Sequence, residues 1–408
     1  MSARSIGPRR NGVRAGVDAR RKSPPAHLRR KLLATMTLTI VGSVALTGCA
    51  LTPDGTKQEQ AKLEEAGRPY EPPFGQRVLP ELTASPTWRE VLSRAFLANG
   101  DLEAAYFEWK AAVQRVEMAS AYPNSNVQVG YSYMFSSEKM KTFDRQTFSL
   151  GFDPSMNLSF PTKVQQKGKV ALDEARAAGE RFRTAKFDLQ RRVLSQWADL
   201  RMLEAKHRVQ LEQASLSRLS IEAIRAKAQA GGVQRDLLRA EATLRTQENN
   251  LQNTQAELSA MRAMLNGMLA RDPNAAIDTS RDTPREFAAF DAQVLAGAVE
   301  VNPEIASLAR QAEGRSDALE LARMQWIPDI NPSFMFTGNV SQALGATVML
   351  PTTVAEIRGG IREAEAMLRA GEAMLRQTRS DRTATLVATL VAMRNNERQA
   401  ALFEDTLV

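Results

Sequence analysis

The sequence predicts a mainly helical protein that also contains membrane β-strands, with long coiled-coil helical hairpins and two β-hairpins. Apolar and polar residues alternate through two strand pairs, which is typical of strands with lipid on one side. A helical pattern runs from about 163 to 230, far longer than a globular domain uses. The order helix, proline, strand pair, proline, helix occurs twice, which indicates an internal duplication.

Residues 1–48 are predicted to be an export signal. Lys and Arg dominate residues 1–31 against one acid, Asp18, and an uncharged run follows from Leu32 to Leu46, too short to span a bilayer. The run ends in Leu46-Thr47-Gly48-Cys49, which resembles the bacterial lipobox, and Cys49 is the only cysteine in the chain. We therefore expect lipidation at Cys49. Because the excess of positive charge lies in the signal, the net charge of +8 gives no indication of nucleic-acid binding.

Residues 49–86 are rich in Pro, Gly and charge, and are predicted to be an extended linker after the lipid anchor. The first repeat then covers 87–273. Its first helix begins at Trp88 and ends near Ala98, and the second starts after Asn99 or Asp101, either of which suits an N-cap. Pro123 ends that second helix because proline lacks the N–H that a helix needs.

The first β-hairpin is predicted at 126–160. One face carries the apolar residues of the alternation, among them Val129, Tyr131, Phe148 and Leu150. The other face carries small or polar residues, which suit a wet lumen. The pattern alone fits a soluble sheet with one buried face equally well. The lumen-facing candidates are Gln128, Ser132, Ser149, Asp153, Ser155, Asn157 and Ser159.

A long α-hairpin is predicted at 163–269. Gly231-Gly232 ends its first helix, as a C-cap glycine pair would. The second helix has a leucine at every seventh position, which predicts packing along a neighbouring helix. These leucines are Leu237, Leu244, Leu251, Leu258 and Leu265.

A polar linker is predicted at 274–286, and the second repeat covers 287–408 with a helix, a β-hairpin at 330–350 and a long helix at 354–408. Asn302-Pro303-Glu304 matches Asn99-Gly100-Asp101, and Trp326-Ile327-Pro328-Asp329 matches Ala121-Tyr122-Pro123-Asn124. The final helix is followed by no glycine turn and no returning helix, so this repeat is expected to be incomplete.

Together the lipobox at Cys49, the two repeats and the segment 226–258 resemble the TolC family of bacterial outer-membrane efflux proteins. This resemblance implies a homotrimer, in which each protomer gives four strands to a twelve-stranded β-barrel and its helices to a periplasmic tunnel. It implies a passive conduit in the outer membrane, working with a periplasmic adaptor protein and an inner-membrane transporter. It also implies adaptor contact at the hairpin tip, at Ala230, Gly231, Gly232 and Gln234, although Val233-Gln234 stands where a hydroxyl N-cap is expected.

Two other classes remain open, a periplasmic adaptor lipoprotein and a lipid-anchored coiled-coil scaffold without a conduit. An enzyme is not expected, because the sequence lacks a phosphate-binding glycine loop, an HExxH motif and a cysteine cluster. No catalytic residue, cofactor or metal site is predicted. The methionines near the strands, such as Met134 and Met335, fit gap-filling on apolar surfaces better than metal binding.

Overall fold

Long helices and one small sheet make up the chain. The computed structural model describes residues 51–122, 127–135, 141–152, 159–231, 233–281, 297–337, 341–350 and 352–407. The helices are α1 Thr56–Gly67, α2 Trp88–Ala98, α3 Gly100–Ser120, α4 Pro161–Gln229, α5 Gln234–Met268, α6 Pro303–Arg323 and α7 Val354–Leu407. The strands are β1 Val127–Tyr133, β2 Gln146–Phe152, β3 Asp329–Thr337 and β4 Ser341–Met349, and short 3₁₀ turns lie at Arg68–Tyr70, Phe74–Gln76, Thr142–Arg145 and Met324–Trp326. Within these ranges, no helix combines the length and the apolar character needed to cross a bilayer.

Four helices lie side by side in one layer, in the order α3, α4, α6, α7. Successive neighbours run in opposite directions. Gln166 of α4 donates to the carbonyl of Asp317 on α6, whereas Ser307, earlier on α6, donates to the carbonyl of Ala177, later on α4. Helix α1 lies against α3 and α4, and α5 packs back along the distal half of α4.

The sheet is four-stranded and antiparallel, in the order β1, β2, β3, β4. The two predicted β-hairpins therefore join through the β2–β3 pair, which sets Phe148 opposite Phe336 and Leu150 opposite Phe334. Residues 126 and 153–158, which belonged to the first predicted hairpin, lie outside the described residues. The sheet stands at one end of the helical layer, because α3 leads into β1 and α4 follows β2.

The predicted long helix is confirmed, because α4 runs for 69 residues and ends just before Gly231. At 1.5 Å per residue it is about 100 Å long. The matching asparagines of the two repeats are both N-caps: Asn99 accepts from the Leu102 N–H at 3.1 Å and Asn302 from the Glu304 N–H at 2.9 Å. An asparagine side chain satisfies a helix N–H that otherwise has no partner. Equivalent positions of the repeats thus have the same local structure.

An aromatic cluster joins the N-terminal segment to α3 and α4. Trp109 stacks on Phe182 with ring centroids 5.8 Å apart, and its indole N–H donates to Glu59 at 3.1 Å. Gly179 makes room for this indole, since a Cβ there would lie 2.9 Å from the Trp109 ring. The mid-helix glycine therefore allows α1, α3 and α4 to approach closely.

The extended linker predicted at 49–86 is wrong for much of its length. Residues 56–67 form helix α1, and Leu63 and Tyr70 are both buried in the main core. Arg77 makes two hydrogen bonds to Glu103 on α3, one of them 2.8 Å long, and this pairing raises the pKa of Arg77. Burial raises the pKa of Tyr70 to about 12, and its neutral hydroxyl donates to the Phe96 carbonyl. Proline and charge in the sequence obscured the few apolar residues that dock this segment.

The segment that follows α5 also contacts the rest of the protein over its described residues, which end at residue 281. Ile277 is buried, and the Thr279 N–H and hydroxyl both donate to Glu204 of α4. Asn266 is fully buried and donates to the carbonyls of Pro273 and Ala275. The predicted linker at 274–286 is thus held in place over its described part.

Candidate membrane sheet and hairpin tip

The apolar positions of the four strands fall into common rows across the sheet. Val129 pairs with Leu150, which pairs with Phe334, which pairs with Leu344. The next row of this face contains Tyr131, Phe148, Phe336 and Gln342. Since positions in one row share a face, both hairpins contribute to a single, largely apolar face.

Several side chains of this face are exposed. The exposed fraction is 76% for Val129, 58% for Tyr131 and 43% for Phe148. The rings of Tyr131 and Phe148 lie next to each other, with centroids 5.1 Å apart. Exposed apolar side chains in contiguous rows are unusual on a surface that faces water, and they mark a contact with lipid or with protein.

Three of the lumen candidates lie on the opposite face. Gln128 pairs with Gly151, Ser132 with Thr147, and Ser149 with Gly130. Ser132 and Ser149 are exposed, and Gly130 leaves room for the Ser149 hydroxyl. Ser159 is half-buried just before α4. The other candidates, Asp153, Ser155 and Asn157, lie outside the described residues.

The second hairpin adds polar positions to this face that were not among the candidates. Thr147 pairs with Thr337, which pairs with Ser341, so the row of Ser132 crosses the whole sheet. Alternation in the sequence places Thr337 on the polar side of its own hairpin, and Ser341 is its partner across the β3–β4 pair. Only the β2–β3 pairing brings them into one row with Ser132.

A partly buried ion pair joins the helical layer to the sheet. Lys163, in the first turn of α4, donates to the Asp329 carboxylate at 2.8 Å and to the Ile327 carbonyl at 2.5 Å. The exposed fractions of the two charged side chains are 10% and 20%. Neither residue stood out in the sequence, although both lie within two positions of the prolines that separate helix from strand. The pair ties the start of β3 to the start of α4.

The hairpin tip lies between the end of α4 and the start of α5. Ala230, Gly231 and Gln234 are exposed, whereas Gly232 lies outside the described residues. Gly231 has φ of 100°, a left-handed conformation that favours glycine. Val233 caps α5 without a side-chain hydrogen bond, as its apolar side chain requires. The tip therefore presents backbone, the small side chain of Ala230 and the exposed side chains of Val233 and Gln234.

Ion pairs between α4 and α5 set the register of the hairpin. Arg218 contacts Glu248 at 2.8 Å, and Arg225 contacts Glu241 at 3.1 Å. Further from the tip, Arg262 contacts Glu204 at 2.9 Å. Burial along the leucine heptad rises in the same direction, from half-buried Leu237 to fully buried Leu265. The heptad leucines thus pack against α4, and they are most buried at Leu258 and Leu265, far from the hairpin tip.

A groove of about 660 Å³ opens among α1, α3, α4 and α6. Its charged side chains mostly form ion pairs, such as Lys62 with Glu59 and Arg183 with Glu180. His207 is half-buried on α4, away from this groove. Across the described ranges, no three His, Cys, Asp or Glu side chains are arranged to hold a metal ion.

Comparison with known proteins finds similarity in structure but not in sequence. No family model matches the chain, and no curated protein does. Among solved structures, the outer membrane protein VceC of Vibrio cholerae is 16% identical, with a TM-score of 0.64 over 78% of this chain and 81% of that chain. A membrane protein from Pseudomonas aeruginosa is 17% identical, with a TM-score of 0.63 over 78% and 79%. The MtrE outer membrane channel of Neisseria gonorrhoeae, in its open state, is 15% identical, with a TM-score of 0.57 over 79% and 80%.

Proposed function

We propose that this chain, which has the fold of solved bacterial outer-membrane channels, is a TolC-like outer-membrane channel of an efflux system. The observation that carries the proposal is the four-stranded sheet with one apolar, exposed face, set at the end of a layer of long antiparallel helices. The likeness to VceC and MtrE supports it. The conduit is passive and needs no cofactor, because the chemistry of transport belongs to an inner-membrane pump.

The decisive experiment is conductance in a planar lipid bilayer. The purified full chain is expected to form long-lived aqueous channels that carry ions in the absence of any energy source. A protein that is extracted from membranes but never conducts would favour the non-conducting scaffold. The adaptor alternative receives no specific support, because the strand pairs lie at the helix ends remote from the hairpin tip.

The protein acts as a homotrimer with a twelve-stranded barrel in this proposal. Strands β1 and β4 are the edges of the described sheet, and open strand edges tend to pair with other strands. Closure through three copies removes every edge and satisfies the backbone in lipid. Multi-angle light scattering in detergent is expected to give three chains per particle.

The polar face of the sheet is proposed to line the lumen. We predict that Ser132→Cys and Ser149→Cys react rapidly with a charged, membrane-impermeant thiol reagent in proteoliposomes. Val129→Cys and Tyr131→Cys, on the apolar face, are the matched controls and should react slowly. The reverse pattern would show that the apolar face lines the water. Cys49 is the only native cysteine of the chain, and in this proposal its thiol is acylated and does not react.

Cys49 is proposed to carry the lipid. Only Ala50 separates it from Leu51, whose N–H donates to the Ser120 carbonyl at 2.8 Å. Leu51 therefore lies at the end of α3, where the chain enters the sheet. A lipid carried two residues before Leu51 suits an anchor at the inner surface of the outer membrane.

The lipid prediction is tested by growing cells with labelled palmitate. The mature protein should incorporate the label and begin at Cys49, and Cys49→Ala should abolish both the incorporation and this cleavage. An unmodified Cys49 thiol in the mature wild-type protein would contradict the assignment. In the same proposal the exposed tip at Ala230 and Gly231 contacts a periplasmic adaptor, and an inner-membrane transporter supplies the energy.

A further inference from the structure

The groove among α1, α3, α4 and α6 has the size of a ligand site. Its volume of about 660 Å³ lies within the range of about 300–1,000 Å³ that small-molecule sites occupy. One face of α4 forms its floor, where the lining residues recur at the three- and four-residue spacing of a helix. These residues include Arg176, Gly179, Arg183, Lys186 and Gln190. Because a helix rises 1.5 Å per residue, the floor is about 21 Å long. We call this feature the α4 groove.

The walls of the α4 groove come from parts of the chain that are distant in sequence. Helix α1 contributes Lys62 and Ala66, and α6 contributes Arg310. A molecule bound in the groove would therefore contact α1, α4 and α6 together.

Positive charge is in excess along the α4 groove. Its cationic lining residues are Lys62, Arg176, Arg183, Lys186 and Arg310, and its carboxylates are Glu59 and Glu180. Two of the cations, Arg176 and Arg310, pair with carboxylates that do not line the groove. A surplus of cations in a concave surface attracts anions.

Lys186 is available to bind such an anion. Its side chain is exposed, and its ammonium nitrogen lies 5.1 Å from the centre of the Phe96 ring. Within the described ranges it forms no ion pair. Arg183 and Arg310 do form ion pairs, but their side chains are 55% and 45% exposed. Exposed ion pairs are weak, so an incoming anion can compete for these guanidinium groups.

An aromatic surface lies beside these cations. Trp109 and Phe182 line the groove and are nearly buried, whereas Phe187 is 56% exposed. A ligand that covers the Phe187 ring gains from removing apolar area from water. An inorganic anion would leave this ring in water, and a neutral apolar molecule would leave Lys186 unpaired. The lining therefore fits a molecule that is both anionic and partly apolar.

We propose that the α4 groove binds a small organic anion with an aromatic or aliphatic body. Its acidic group pairs with Lys186 and Arg183, and its body covers Phe187. The site lies on the helical layer and not on the sheet, so it goes beyond the proposed conduit and does not depend on conduction. Because the ligand binds only the folded chain, it also stabilises the docking of α1 on α4.

The test is isothermal titration calorimetry of the full chain in lipid nanodiscs, with naphthalene-2-sulfonate as the probe and empty nanodiscs as the blank. We expect saturable binding of a single probe per chain, which weakens as salt is added because the contact is electrostatic. Lys186→Met should weaken binding about tenfold, because it removes a cation but keeps most of the side-chain volume. Phe187→Ala removes the exposed ring and should weaken binding several-fold.

Lys167→Met is the matched control, because Lys167 is also exposed on α4 but does not line the groove. It should bind the probe like the wild type. Helical circular dichroism of all three variants should match the wild type, so that misfolding is excluded as the cause.

Two further probes each carry one of the two features. Inorganic sulfate has only the charge and naphthalene-2-methanol has only the apolar body, and both should bind at least about tenfold more weakly than naphthalene-2-sulfonate. Equal binding of either probe would overturn the proposal. A wild-type chain without saturable binding would overturn it too, as would wild-type affinity in both Lys186→Met and Phe187→Ala. None of these results bears on conductance, which tests the channel separately.

Discussion

Lys163→Met is expected to lower the free energy of unfolding by about 2–3 kcal/mol, because it removes one partner of a partly buried, hydrogen-bonded ion pair. Methionine keeps most of the volume of the side chain but donates no hydrogen bond. The Asp329 carboxylate and the Ile327 carbonyl then lose the donor that satisfies them at the start of β3. Thermal unfolding of the detergent-solubilised protein, followed by circular dichroism, measures the loss.

A matched control for Lys163→Met is Arg191→Met. Arg191 lies 3.6 Å from Asp188 on α4, and the exposed fractions of these two side chains are 75% and 54%. An exposed pair contributes about 1 kcal/mol or less, so this variant should unfold almost like the wild type. If the two variants lost the same free energy of unfolding, the burial of Lys163 would not explain the destabilisation.

The same change is expected to disturb conduction in bilayers. The ion pair is one of the contacts that hold the helical layer against the sheet. It joins the first repeat, where strand changes to helix, to the second repeat, where helix changes to strand. We expect Lys163→Met channels to close and reopen more often than wild-type channels. Lys163→Arg, which keeps the charge, should restore steady conduction in large part.

Trp109→Ala is the second change with a large expected effect, about 3–5 kcal/mol of destabilisation. The indole is 5% exposed, stacks on Phe182 and donates to Glu59. Its removal leaves a cavity against Gly179 and takes away a contact that holds α1. Thermal unfolding should report the lost stability, and limited proteolysis should cut within 56–67 sooner than in the wild type.

Two variants separate the causes of that effect. Trp109→Phe keeps much of the packing but loses the hydrogen bond, and should cost clearly less than the alanine variant. Trp326→Ala removes an indole that is 45% exposed, and should have a small effect because little area is buried there. If Trp109→Ala left α1 as protected as in the wild type, the aromatic cluster would not be what holds α1 in place.

Local patterns were sufficient for the long helices and their ends. Three features depend only on residues close in sequence: the helical pattern of α4, the glycine at its end and the two asparagine caps. They can therefore be predicted without knowing the tertiary structure. The strand alternation was equally readable. It could not tell which hairpins pair, since the β2–β3 register depends on residues far apart in the chain.

Helix α1 illustrates where such patterns fail. Its composition is that of an exposed segment, and a few scattered contacts hold it against the other helices, among them buried Leu63 and the bond between Glu59 and Trp109. A few isolated contacts of this kind produce no repeating pattern in the sequence. The same holds for Lys163 and Asp329, which are distant in sequence and become partners only when α4 and β3 meet.

For this protein the sequence alone determined the mainly helical class, the duplicated order of helices and strands, the alternating faces of each hairpin and the place of the helical turn. These follow from backbone preferences and from the periods of helix and strand, which act over a few residues. The tertiary structure decided the single four-stranded sheet, the docking of residues 56–70 on the other helices and the ion pair between Lys163 and Asp329. Those features depend on which distant surfaces come together, and burial of apolar area and satisfaction of buried polar groups make that choice.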